Sequence, residues 1–383
     1  MRRQTSIAVT VRSVTAVTVL AMFGLPPASA QVPSFTLVGH AGDSGSSRVY
    51  GLSADGRSAA GYTGVSSTND PGFLWTRGAG RYDFGLEAGL PATTFALGIS
   101  GDGFTAVGSS GASPSETQTA FRWSGPGTFQ SLGTLNGFTQ SRATGVNTDG
   151  SIVTGFATNS GGFTRAFRWT TGVGMQPIGP DTTTSQANAI SRDGTTIVGE
   201  IDVHTGSPDA FRWTSAGGWQ ALASLNGSTT SYARGVSADG SYIVGLTATS
   251  TTRGVATVWH NGVPTELTTP SGWLGANPLA VSDNGQVVVG AYDILGPGGA
   301  AIWTPNTGFL ALDSYLTSFG ITLPEGVWLE NCVAISADGM TFAGTTYGPA
   351  GIVQGYVATI PTPGVLPVVS LASLLLARGR RAR

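Results

Sequence analysis

The residues of this chain with the greatest chemical reach are Glu200, Asp202, His204 and Asp209, four titratable side chains in one short stretch. A carboxylate beside an imidazole can pass a proton as a general acid/base pair, or hold a metal ion weakly. His40 and Asp43 form a smaller group of the same kind. The competing reading of Glu200–Asp209 is an acidic, solvated loop. The third histidine, His260, stands at no H-x-x-x-H or H-E-x-x-H spacing from the others, so no helical zinc site is written here. No G-x-S-x-G elbow precedes a helix, and with 58 glycines a Gly-rich phosphate loop would match anywhere. The single cysteine, Cys332, excludes an intrachain disulfide framework and a cysteine-based zinc cluster, and reads as a small buried hydrophobe. We therefore expect no catalytic residue, no metal and no cofactor, and name His40, Glu200, Asp202, His204 and Trp273 as candidate ligand contacts. Trp328, like Trp273, lies outside the repeated motif and is a candidate for an exposed contact.

The elements that must position these residues are repeats. Asp55, Asp102, Asp149, Asp193, Asp239, Asn284 and Asp338 each precede a glycine, at spacings of 47, 47, 44, 46, 45 and 54. Three residues before each stands an aliphatic (Leu52, Ile99, Val146, Ile190, Val236, Val281, Ile335), and six residues after each a second glycine (Gly61, Gly108, Gly155, Gly199, Gly245, Gly290, Gly344). An Asp-Gly pair between apolar runs predicts a hairpin. Six lone aspartates, one per repeat, invite a calcium reading, but calcium needs 6–8 converging oxygens. A turn that needs an Asx side chain, with Asn284 serving equally well, is the better account.

Each repeat adds an aromatic strand such as Ala120-Phe121-Arg122-Trp123 and a further short strand such as Phe129–Leu132. Trp75, Trp123, Trp169, Trp213, Trp259 and Trp303 hold one fixed place in that strand, so they read as core before they read as a sugar-stacking array. Arg122, Arg168 and Arg212 alternate with the aromatics and should bury their stems, with blade carboxylates as expected partners. Four strands per period, with a period in the forties, predict an all-β fold: a seven-bladed β-propeller over residues 31–360. The seventh repeat lacks a fourth strand, and an orphan strand, Phe35–Val38, stands before the first motif. Pairing the two would close the ring and remove two open edges. An open solenoid would leave the orphan unexplained. Leu312, Tyr315, Leu316 and Phe319 sit at helical spacing and predict one short helix ending at Gly320.

The ends read as addresses. Met1-Arg2-Arg3, an apolar run and Ala28-Ser29-Ala30 form a signal peptide over 1–30, cleaved between Ala30 and Gln31. Residues 361–383 carry a Pro-rich break, an apolar run from Val365 to Ala377 and then Arg378, Arg380, Arg381 and Arg383. Thirteen helical residues reach ~20 Å, short of a ~30 Å bilayer core, which suits transient rather than permanent membrane contact. All 19 basic residues are arginines. Seven of them lie in the two ends, leaving 12 against 21 acids in the body, a net charge of −9. Such a body does not suit a nucleic-acid backbone.

At the level of the repeated S-x-D-G hairpin and the A-F-x-W strand, residues 34–360 resemble the extracellular HAF-repeat family, with Thr119, Arg165 and Asp209 standing where that repeat carries its histidine. The tail resembles a PEP-CTERM sorting signal, with Thr362 in the place of its usual Glu. Together the resemblances imply an exported protein of the cell envelope or outer surface, handled at its tail by sorting machinery. Neither implies a reaction. The expectation is a non-catalytic binding or scaffold module with an exopolysaccharide or another envelope protein as partner. The alternative is a glycoside hydrolase or lyase with its site on the loop face.

Overall fold

The computed structural model describes residues 32–361 except 40–45, 65–69, 88–89, 92, 113–116, 203–206, 226, 249–253, 287 and 295. The signal segment with its Ala30–Gln31 junction, the tail from 362 onward, His40 and His204 lie outside the described residues.

Seven four-stranded antiparallel sheets form a ring of blades, each holding one hairpin motif. Blade 4 is typical, with strands Ser185–Ile190, Thr196–Asp202, Pro208–Thr214 and Gly218–Ala221 hydrogen-bonded in chain order. Blade 7 takes three strands from the C-terminal side (Trp328–Ile335, Thr341–Tyr347, Val353–Thr359) and its fourth, Ser34–Leu37, from the N-terminal side. The register runs from Ser34 opposite Thr359 to Leu37 opposite Tyr356, so the ring closes as the orphan strand predicted. The first strand of every blade touches the first strands of both neighbours, the seventh touching the first, and these seven strands wall a central channel. Each runs from the face that carries the blade-joining loops to the face that carries the S-x-D-G hairpins.

The repeated residues have local causes. In blade 5 the Asp239 carboxylate accepts hydrogen bonds from the Ser241 amide (2.9 Å) and the Ser237 hydroxyl (2.9 Å), while Gly240 takes φ +74°, which a glycine adopts without strain. The same pattern recurs at Asp55, Asp102, Asp193, Asn284 and Asp338, with Ser53, Ser100, Ser191, Ser282 and Ser336 as the hydroxyl donors. At Asp149 the donors are the Ser151 amide and hydroxyl. These Asx side chains close turns.

The second glycine answers a β-bulge. Every first strand slips register, at Tyr50, Leu97, Thr144, Asn188, Arg234, Leu279 and Val333, and the first strand of blade 7 slips a second time at Glu330. The bulge pushes the backbone of the first strand toward the second, where only a glycine leaves room.

The repeat tryptophans pack between blades. Trp75, Trp123, Trp169 and Trp259 are buried, whereas Trp213 and Trp303 are half-buried. Blades are also tied by hydroxyls on the first strand of the next blade. Thr94, Ser141, Ser185 and Ser231 accept the amides of Gly72, Ala120, Ala166 and Ala210 at 2.6–3.0 Å. Arg122 donates to the Gly150 carbonyl oxygen of the next hairpin at 2.8 Å, so its partner is backbone rather than the expected carboxylate. Cys332 is buried, and burial pushes its thiol up to about 12. The predicted helix is Leu312–Ser318, with Leu312 and Leu316 buried in the cluster that joins blades 6 and 7. Among the described residues no helix is long and apolar enough to cross a membrane.

Candidate functional site: the channel and the loop face

The seven bulged residues turn their side chains into the channel. They line a cavity of about 200 Å³ toward the hairpin face. The arc formed by blades 3 to 5 is polar (Thr144, Asn188, Arg234), and the rest is aliphatic (Leu97, Leu279, Val333) except for Tyr50 of blade 1. The hairpin end of the channel is crossed by Arg192, from the turn of blade 4. Its guanidinium pairs with Asp283 of blade 6 and donates to the Ile335 carbonyl oxygen of blade 7 at 3.1 Å. Burial lowers the Arg192 pKa and raises that of Asp283, while the pair opposes both shifts.

Carboxylates that face the channel are matched to arginines. Asn188 Nδ2 donates to Glu200 Oε2 at 2.9 Å and to the Ala233 carbonyl oxygen at 2.9 Å, and Arg234 Nη1 stands 3.9 Å from the same Glu200 oxygen. Nearer the loop face, Glu330 lies 3.7 Å from Arg48 Nη1 and accepts the Tyr347 hydroxyl at 3.2 Å. Tyr50 and Tyr62 stack at 5.3 Å with their hydroxyls 3.2 Å apart, and Phe95 meets Tyr62 edge-on. Burial raises the Tyr62 pKa first of all; the Tyr50 hydroxyl adds to this, and the charges of Arg48 and Arg142 oppose it.

Two further cavities, each of about 220 Å³, open on the loop face. One lies between blades 6 and 7 and is lined by Tyr292, Gly298, Gly299, Asp313 and Trp328. Trp328 is 40% exposed and stacks on Tyr347 at 4.7 Å. The other lies between blades 2 and 3, lined by Phe95, Phe156, Gln140, Arg142 and Thr158.

These positions revise the sequence reading. Glu200 and Asp202 belong to the strand Thr196–Asp202, so the loop begins only after them. Register places Glu200 opposite Ala210 and Asp202 opposite Pro208, while Asp209 pairs with Ile201 on the opposite face of the sheet. Asp209 therefore does not join Glu200 and Asp202, and its pKa is raised by burial alone. Asp202 Oδ1 is buried without a hydrogen-bond partner among the described residues. Trp273 is half-buried, stacked on Tyr292 at 4.0 Å and tilted against Phe309, so it supports a cavity wall rather than offering an open ring. Among the described residues no three of His, Cys, Asp and Glu gather as metal ligands. The sequence reading missed the bulged residues. Each stands five positions before the hairpin Asp or Asn, in a column whose chemistry changes from blade to blade between columns that hardly change. That contrast was the available signal.

No family model matches the chain, and neither does any curated protein sequence. Among solved structures, an oligogalacturonate lyase in complex with manganese is similar at TM-score 0.56 and 11% identity, over 86% of this chain and 96% of that one. The β-propeller domain of the Trilobed protease from Pyrococcus furiosus is similar at TM-score 0.53 and 10% identity, over 82% and 95%. TolB from Acinetobacter baumannii is similar at TM-score 0.47 and 17% identity over 67% of this chain, which spans 63% of that protein. At such identities the likeness carries the fold alone. The chain is a seven-bladed β-propeller.

Proposed function

We propose that this propeller is an exported, non-catalytic binding and scaffold module of the cell envelope or extracellular matrix, presenting its loop face to a polysaccharide. The observation that carries the reading is that two aromatic-lined cavities of about 220 Å³ open on that one face. The channel carboxylates support it too. A glycoside hydrolase sets two carboxyl groups ~5–10 Å apart across the scissile bond. Here Glu200 and Glu330 are each drawn to an arginine. Export and sorting rest on the signal-like residues 1–30 and the Arg-ended tail.

The test is depletion of purified protein onto a panel of bacterial, plant and algal polysaccharides, with new reducing or unsaturated ends measured in parallel. Retention without new ends is expected. New ends would overturn the non-catalytic reading and make Glu200 and Asp202 the first residues to change.

A further inference from the structure

The two loop-face cavities have the same volume and opposite charge. The one between blades 6 and 7 has the Asp313 carboxylate in its lining and no arginine among its described lining residues. The one between blades 2 and 3 has Arg142. Three other arginines face the channel, and each stands near a carboxylate: Arg48 near Glu330, Arg192 near Asp283, Arg234 near Glu200. Arg142 is exposed and makes no ion pair among the described residues.

Resting on the binding-module reading, we propose that the cavity between blades 2 and 3 takes a carboxylated sugar, a uronate unit of an acidic polysaccharide, with Arg142 holding its carboxylate. A guanidinium presents a planar fork that matches a carboxylate in two parallel hydrogen bonds, which an ammonium cannot do. Phe95 and Phe156 supply apolar walls against which the C–H face of a sugar ring can lie, and Phe156 stands directly opposite Arg142 in the strand register. Gln140 and Thr158, the next register pair on the same side of the sheet toward the loop face, place an amide and a hydroxyl at the rim for ring hydroxyls. One open guanidinium in the lining of this cavity, on a body of net charge −9, does not suit the many phosphates of a nucleic acid. It does suit one carboxylate per bound sugar.

The experiment measures binding of the full chain to polygalacturonate and to the same polymer after its carboxyl groups are reduced to alcohols. At least tenfold weaker binding to the reduced polymer is expected. Arg142→Gln should lose at least tenfold toward the carboxylated polymer and change little toward the reduced one. Arg168→Gln, on the third strand of the same blade, should leave both unchanged. Equal binding of the two polymers by the unaltered protein, or full retention by Arg142→Gln, overturns the inference while leaving the binding-module reading in place. Retention of no polysaccharide at all overturns both. The comparison of the two polymers needs no variant, so it stands even if Arg142→Gln folds poorly.

Discussion

A β-carbon built on Gly199 would lie 1.9 Å from the carbonyl oxygen of Gln186, two residues before the bulged Asn188. The same approach recurs at Gly61 against Arg48 (1.9 Å), Gly108 against Phe95 (1.7 Å), Gly155 against Arg142 (1.9 Å) and Gly344 against Asn331 (2.2 Å). The obstruction is backbone held by sheet hydrogen bonds, so it cannot turn aside as a side-chain end would. Gly199→Ala should therefore cost ~3 kcal/mol, the upper range of overpacking. Gly64→Ala, where the added carbon meets nothing within 4 Å, should stay within ~0.5 kcal/mol. Urea midpoints of the two variants check this. Equal midpoints would mean that the bulge relaxes at no cost.

The hairpin aspartates predict a particular acid sensitivity. Hydrogen bonds from Ser241 and Ser237 lower the pKa of Asp239 in the folded protein. The unfolded chain then binds the proton more tightly, so folding is favoured by ionised Asp239. That contribution is present in full above the ordinary carboxylate value of ~3.9 and is lost as the pH falls through the lower folded value. Asp239→Asn keeps an acceptor and removes the titration, as Asn284 does in blade 6. The stability difference between protein and variant should shrink between pH 5 and pH 2. A difference that stays constant over that range would count against the hairpin carboxylate as its source.

The blade plan was legible in the sequence because each repeated residue answers a backbone demand. Asp239 closes a turn, Gly199 yields to a bulge and Trp259 fills a space between blades, and such demands recur with every blade. The site was less legible because it is built from what differs between blades. Asn188 and Arg234 occupy the same position in successive repeats and meet at Glu200 only once blades 4 and 5 pack side by side. The expected grouping of Asp209 with Glu200 failed on strand parity, since residues paired across two strands share a face and Asp209 pairs with Ile201. Arg192 gave no sign of its reach, because its partner stands 91 residues away.

That partner makes the last prediction. Arg192 and Asp283 keep 21% and 30% of their side chains exposed, and the pair joins blade 4 to blade 6 across the hairpin end of the channel. Burial lowers the pKa of the arginine and raises that of the aspartate, so each charge is held against a solvation cost that the other offsets. Removing one partner leaves the other charge partly buried and uncompensated, which is worse than removing both. Asp283→Leu alone should therefore be less stable than the Arg192→Met/Asp283→Leu double variant, with a coupling energy of ~1–2 kcal/mol from the full cycle of four proteins. Partial exposure keeps that figure well below the ~3–5 kcal/mol of a fully buried pair. If the two single changes are simply additive, the arginine crosses the channel without binding the blades together, and closure of that end rests on the backbone alone.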